Sequence, residues 1–323
     1  MKHKAFGAVL LVVLLLVATL VGCGRSAEVR LGAAGEGGTY YAYSVAAADI
    51  IGKETDLQFD IKKTAGSAAN IRLLSEGYLD LAIAQSDVAA DAWNGQGAFE
   101  GAARTGYSAV ASLYTEYCQI VVRADSDIQS VEDLSGKVVS LGEIESGAEL
   151  NAEQILQCCG LSTSLLQVRN YGYKQAAQAL KSGEIDAFFC TVGLPMETIR
   201  QLAEETPVRL LSLNEKQAER LLETYGGYVH CTIPAGTYAG QTEDVHTVGV
   251  RAVLLASDKL SDETLKTILS ALMDKAEEVK SAAGAETALS PETCGEGIAI
   301  PYHSGAAAFY KANGITVETE VVG

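Results

Sequence analysis

Histidine is scarce in this chain, with four in 323 residues. The three that lie beyond the N-terminus, His230, His246 and His303, stand far apart. No C-x-x-C pair occurs either, so no metal site is expected. Also missing are H-E-x-x-H, G-x-S-x-G and a Walker lysine, the local signatures of zinc hydrolases, serine hydrolases and nucleotide hydrolases. No catalytic residue and no cofactor are therefore expected, and the chain does not read as an enzyme. Basic residues are few: 24 Lys and Arg face 41 Asp and Glu, for a formal charge of −17. Nucleic acid, which is bound by neutralising phosphates, is excluded as a partner. The same deficit excludes polybasic attachment to lipid head groups. Long apolar runs are absent everywhere except at the N-terminus.

That one run is informative. Lys2 and Lys4 precede an apolar stretch, Ala5–Val21, which ends in Leu20-Val21-Gly22-Cys23. A basic start, an apolar middle and a small residue before cysteine make an export signal over residues 1–22. The ending resembles the bacterial lipobox, which implies cleavage before Cys23 and a lipid on it, followed by a short linker over 23–27. The other reading is a retained spanning helix, for which the run is at the short limit. Loss of Lys2 and Lys4 takes the formal charge from −17 to −19. The remainder is expected outside the cytoplasm, at a cell surface or in a periplasm, anchored to a membrane by its lipid.

Six cysteines follow Cys23, without framework spacing. Buried thiols are expected for most of them. About 300 residues exceed one comfortable core and suggest two lobes. Strands alternate with helices along the chain, the sign of α/β layering. The strands are expected at Val29–Leu31, Gln58–Lys63, Leu81–Gln85, Ala109–Leu113, Gln119–Arg123, Lys137–Leu141, Ala187–Thr191, Tyr228–Ile233 and Thr247–Leu255. Helices are expected at Tyr41–Lys53, Ser67–Glu76, Asp87–Trp93, Ala148–Cys158, Lys174–Lys181, Pro195–Glu204, Glu215–Thr224, Asp262–Lys280 and Ser304–Asn313, with Glu318–Gly323 as a tail or edge strand.

Several strands run into short turns and then helices. The first turn is the richest: Gly32-Ala33-Ala34-Gly35-Glu36-Gly37-Gly38-Thr39. It is either a tight turn or an anion site, because a new helix offers free N–H groups and a partial positive charge. Similar turns carry Ser67 and Asn70, Ser86 and Asp87, Ser146 and Gly147, and Val192 and Gly193. In open α/β sheets ligands sit beyond the carboxyl ends of the strands, where such turns gather.

The ordered motifs Gly37-Gly38-Thr39-Tyr40-Tyr41, Gly66-Ser67-Ala68-Ala69-Asn70 and Gln85-Ser86-Asp87-Val88-Ala89 are similar to those of TAXI-type solute receptors of TRAP transporters. So are Ala111-Ser112-Leu113-Tyr114, Leu134-Ser135-Gly136-Lys137-Val138, Ile185-Asp186-Ala187-Phe188-Phe189, Ile233-Pro234-Ala235-Gly236-Thr237-Tyr238 and Pro301-Tyr302-His303-Ser304-Gly305-Ala306. The resemblance implies an α/β, bilobal periplasmic-binding-protein-like fold of type II, with two α/β lobes joined by a hinge. It also implies a receptor that captures a small carboxylate (glutamate, glutamine or a 2-oxo acid) and hands it to a TRAP-type permease. A monomer is expected. The lobes are expected as 28–117 with 234–323, and 118–233, hinged near Leu113–Gln119 and Tyr228–Pro234. Cys118 and Cys231 fall in those segments, and a disulfide between them is one expectation. Other readings of the same architecture are a lipoprotein that reports ligand occupancy to a sensor kinase, and a bilobal transferase.

Within the expected cleft, Gly38 and Thr39 would hold a carboxylate, helped by Ser67 and Asn70 and, from the opposite lobe, by Ser146, Gly147 and Ala148. Gln85, Ser86 and Asp87 would receive an amino group, although Asp87 serves equally well as a helix-start residue. Tyr40, Tyr41 and Tyr114 are either walls or core. Val192 and Gly193 would bring backbone to the solute, unless Gly193 only permits its turn. The family commonly has Gly-Ala-Pro-Gly-Ser-Gly-Thr where this chain has Gly142-Glu143-Ile144-Glu145-Ser146-Gly147-Ala148. If Glu143, Glu145 and Glu149 face the cleft, an amine- or amide-bearing solute is favoured over a dicarboxylate; the alternative is that they point to water.

Overall fold

A computed structural model describes residues 28–317. The export signal, Cys23, its linker and the tail from Glu318 lie outside the described residues. Ten strands form one sheet: β1 (Glu28–Gly32), β2 (Gln58–Lys62), β3 (Leu81–Gln85), β4 (Tyr107–Arg123), β5 (Val138–Ser140), β6 (Gln167–Arg169), β7 (Ala187–Val192), β8 (Val208–Leu210), β9 (Val229–Ile233) and β10 (Val245–Ser257). The helices are α1 (Thr39–Glu54), α2 (Ser67–Ser75), α3 (Ser86–Asn94), α4 (Gly147–Cys158), α5 (Tyr173–Ser182), α6 (Glu197–Glu205), α7 (Glu215–Thr224), α8 (Asp262–Asp274), α9 (Ala276–Ala283) and α10 (Ser304–Ala312).

The strand order is β2-β1-β3-β10-β4-β7-β5-β6, with β8 beside β4 and β9 beside β10. β1 lies parallel to β2 and β3, and β5 lies parallel to β6 and β7, while β4 and β10 run antiparallel through the middle. Each parallel trio belongs to one lobe, and β4 and β10 belong to both. The first apolar core runs up to Tyr114 and resumes at Ala252; Cys118, Val248 and Val250 pack in a second. This is the bilobal type II architecture with a two-strand hinge.

Local chemistry explains the elements. α1 buries Tyr40, Tyr43, Ala47 and Ile51, the spacing of one helical face. β3 and β7 read Leu-Ala-Ile-Ala-Gln and Ala-Phe-Phe-Cys-Thr-Val and are buried along their whole length, as suits strands covered on both faces. α8 starts on Ser261, whose side chain accepts from the Thr264 N–H.

Several expectations need correction. The two strands expected between Ala109 and Arg123 are one 17-residue strand. Glu116 interrupts the apolar pattern there, yet it is buried within the strand. The helix expected over Asp262–Lys280 is broken at Lys275, which ends α8 and precedes α9; Lys275 pairs there with Glu54 and Glu278. α6 begins at Glu197 rather than Pro195, because Met196 is extended. β6 and β8, of three residues each, were too short to carry a period and were not expected.

The return crossing is in β10, not in Tyr228–Pro234, because β9 pairs with β10 inside the second lobe. Tyr238 and Val245, expected in the first lobe, accordingly pack with the second. Cys118 and Cys231 are both free thiols. They stand on β4 and β9, which flank β10 on opposite sides. Strands two apart are separated by about 9–10 Å, beyond the reach of a disulfide.

Gly249 sits where the two strands cross between lobes. A methyl group there would lie 2.5 Å from the Glu116 carbonyl oxygen and 2.6 Å from Cys231 Sγ. Gly249→Ala is expected to cost about 1–3 kcal/mol, measured by urea unfolding; a loss within about 0.5 kcal/mol, the range of ordinary surface changes, would show that the crossing has room.

Candidate functional site

Between the lobes lies a cavity of about 260 Å³. Its wall is made where the parallel strands of both lobes end and their helices begin. Four helices present their N-termini to it: α1 at Gly38-Thr39, α2 at Gly66-Ser67, α4 at Ser146-Gly147 and α5 at Gly172-Tyr173. α1, α2 and α5 start on glycine with no side-chain cap. Their first N–H groups are thus left without a side-chain acceptor. α4 is capped differently, Ser146 Oγ accepting from the Glu149 N–H at 3.0 Å. Gly66 has φ +139, and a Cβ there would stand 3.2 Å from Ser146 Cα. Glycine is thus required twice over, for its backbone and for the approach of the opposite lobe.

Nine of the residues singled out from the sequence line this cavity: Gly38, Thr39, Tyr40, Ser67, Gln85, Ser146, Gly147, Ala148 and Val192. Gly193 is next to it, where a Cβ would meet Thr39 at 3.2 Å and Tyr114 at 3.4 Å. The others lie outside the lining. Tyr41 is half-buried, its ring beneath the Lys63 ammonium. Asn70 is spent within its lobe, donating to the Ile83 carbonyl at 2.8 Å and accepting from Thr64 at 2.6 Å. Ser86 accepts from the Arg251 N–H at 3.3 Å. Tyr114 is core, packed on Tyr43 with ring centroids 5.6 Å apart.

Asp87 joins the lobes instead of lining the cavity. Asn151 of α4 donates to its carboxylate at 3.0 Å, and donates again to the Tyr228 hydroxyl at 2.6 Å. Other contacts hold the lobes together around the cavity. Ala69 N–H donates to the Glu145 carbonyl at 3.1 Å, Arg72 grips the Glu145 carboxylate at 3.0 Å, and Thr198 donates to the Gly37 carbonyl at 3.1 Å. Of the three carboxylates in the departing loop, only Glu143 lines the cavity. Glu145 is held by Arg72, and Glu149 accepts from the Glu145 N–H and Asn170.

Glu116 is the buried acid among the lining residues that the sequence reading missed. It is 1% exposed, and Tyr40 donates to it at 2.6 Å. The signal available was a lone acid inside an apolar strand. Tyr173 and Lys174 were missed as lining because β6, the strand before them, was not recognised. Lys174 pairs with Glu36 at 3.2 Å. Burial drives the Glu116 carboxyl well above its ordinary range, against the opposing hydrogen bond from Tyr40. Burial also raises Glu143. It pushes Asp87 up to about 6, although its backbone bonds and Asn151 pull the other way.

Residues 31–314 match the model of the NMT1-like family. Among solved structures, methylphosphonate-bound PhnD1 of Prochlorococcus marinus is similar over 90% of this chain and 100% of its own, at 9% identity and a TM-score of 0.56. An ancestral arginine-binding protein bound to arginine covers 80% of this chain and 97% of its own, at 18% identity and 0.52. The binding protein component of a Pseudomonas aeruginosa ABC phosphonate transporter covers 79% and 77%, at 12% and 0.52. At such identities the likeness concerns the fold.

The raised Asp87 has a measurable consequence. A carboxyl whose folded pKa, about 6, exceeds its ordinary 3.8 contributes stability below about pH 4 that is lost as pH rises through 6. Asp87→Asn removes that loss. The variant should gain on wild type between pH 4 and 7 by an amount on the order of 3 kcal/mol, read from urea unfolding at each pH. A difference that stays constant with pH would contradict the assignment.

Proposed function

The chain belongs to the NMT1-like family, and from that premise we propose that it is an extracytoplasmic receptor that closes its lobes on a small carboxylate and delivers it to a membrane permease. The carrying observation is the convergence of four helix N-termini, from both lobes, on one cavity. Each brings first-turn N–H groups and a partial positive charge, the ordinary means of holding an anion without a cationic side chain. Lys174, the single basic side chain in the described lining, is already paired with Glu36. The cavity is below the ~300–1,000 Å³ common for drug-sized ligands, which favours a small solute. Gly38, Thr39, Ser67, Ser146 and Gly147 are the proposed carboxylate contacts, with Tyr40, Gln85, Ala148 and Val192 completing the wall.

The motif order quoted above supports a TRAP-type permease as the partner and TAXI-type membership within the family. A lipid on Cys23 would keep the receptor near that permease. A second reading has an ABC transporter as the partner, favoured by the similarity to the Pseudomonas aeruginosa component. The two differ in energy source. In proteoliposomes carrying the cognate permease, uptake should collapse when the ion gradient is dissipated and should be indifferent to ATP; the reverse result would select the ABC reading.

Capture itself is testable on the isolated protein. In a thermal-shift screen of amino, 2-oxo and dicarboxylic acids, a ligand at ~100 times its dissociation constant should stabilise by roughly 2.7 kcal/mol. Gly147→Val should weaken that ligand about tenfold or more, one logarithmic unit being about 1.4 kcal/mol. A Cβ at Gly147 would lie 2.0 Å from Gln85 Oε1, so closure would be held back. No stabilisation by any acid in the screen would refute the reading.

A further inference from the structure

We propose that Glu116 is the receptor's cation-recognising residue, so that the solute is an amino acid held as a zwitterion, its ammonium on Glu116 and its carboxylate on the helix starts. This rests on the receptor reading above and names the solute class for that same cavity. Glu116 lines the cavity although it is almost completely buried. Its side chain has one hydrogen-bond partner among the described residues, Tyr40, and no lysine or arginine pairs with it. A buried carboxylate without a cation is costly unless it is paired or neutral. An ammonium entering from the solute would supply the missing charge.

A second acceptor points to the same kind of guest. Gln85, 2% exposed, also lines the cavity, and its Oε1 has no hydrogen-bond partner among the described residues. The acceptors and donors are physically linked. Tyr40, which donates to Glu116, approaches Ser67 Oγ at 3.4 Å, and Ser67 Oγ accepts from the Gln85 N–H at 3.1 Å. Ser67 is also the first residue of α2, one of the four helices aimed at the cavity. The Glu116 carboxyl and the Gln85 backbone thus stand within one hydrogen-bonded network, and the Gln85 amide oxygen lines the same cavity beside N–H donors. A guest with both a carboxylate and an ammonium matches that arrangement. A 2-oxo acid of the same skeleton leaves Glu116 without a charge partner.

The test is calorimetric titration of wild type and Glu116→Gln with the standard L-amino acids and the corresponding 2-oxo acids. Wild type should bind at least one amino acid about 100-fold more tightly than its 2-oxo counterpart, the scale of losing one partner of a buried charge pair. In Glu116→Gln, which keeps the side-chain shape, that preference should collapse to within a few-fold through loss of amino acid affinity. The wild-type ratio is informative even if the variant fails to fold. Equal or tighter binding of the 2-oxo acid by wild type, or full retention of amino acid affinity in a folded Glu116→Gln, would overturn the assignment while leaving the receptor reading intact. Failure of every acid, amino and oxo alike, would overturn both.

Discussion

Everything at the cavity depends on the antiparallel pairing of β4 with β10. Their register runs from Tyr107↔Ser257 in the first lobe to Tyr117↔Gly249 at the second. Backbone hydrogen bonds therefore continue through the hinge, and neither lobe has a free edge there. With both strands shared, the two parallel trios are set on either side of one seam. Their carboxyl ends, and the helices that follow, point at each other across it. Glu116 lies on β4 within that seam, which is how an acid in mid-strand comes to line a cavity.

The second constraint is that helices starting on glycine have no side-chain acceptor for their first N–H groups. Such donors need a partner from water or from a guest. An acidic protein can hold an anion this way because the two effects act over different distances. Repulsion from the net charge is screened beyond about 8 Å in physiological salt, whereas N–H contacts act at about 2.9 Å. The same design leaves room for buried acids. With no surplus lysine in the described lining, no basic side chain there pairs with Glu116 or Glu143.

The lobes are held together by contacts of unequal kind. Arg72 with Glu145 and Lys174 with Glu36 are partly exposed pairs, each contributing little net energy. The Asp87–Asn151–Tyr228 chain is buried, where leaving a group unpaired costs more. It also leaves Asp87 Oδ1 and Asn151 Oδ1 without hydrogen-bond partners among the described residues. The contact between the lobes is thus a compromise between burial of the seam and incomplete pairing along it.

From the sequence alone came the layering of strands and helices, most element boundaries and nine of the cavity-lining residues. These follow from local chemistry: apolar period, glycine at turns, and Ser or Thr at helix starts act within a few residues and leave their mark on the chain. Glycine-rich strand tips were legible as donors for the same reason. Tertiary structure decided what lies two strands apart. It put β10 between Cys118 and Cys231, moved the return crossing from Tyr228–Pro234 to β10, and turned Asp87 to Asn151 rather than to the cavity. It also gave Glu116 its place, since burial of an acid depends on which distant elements cover it, here α1 through Tyr40, and no short-range pattern records that.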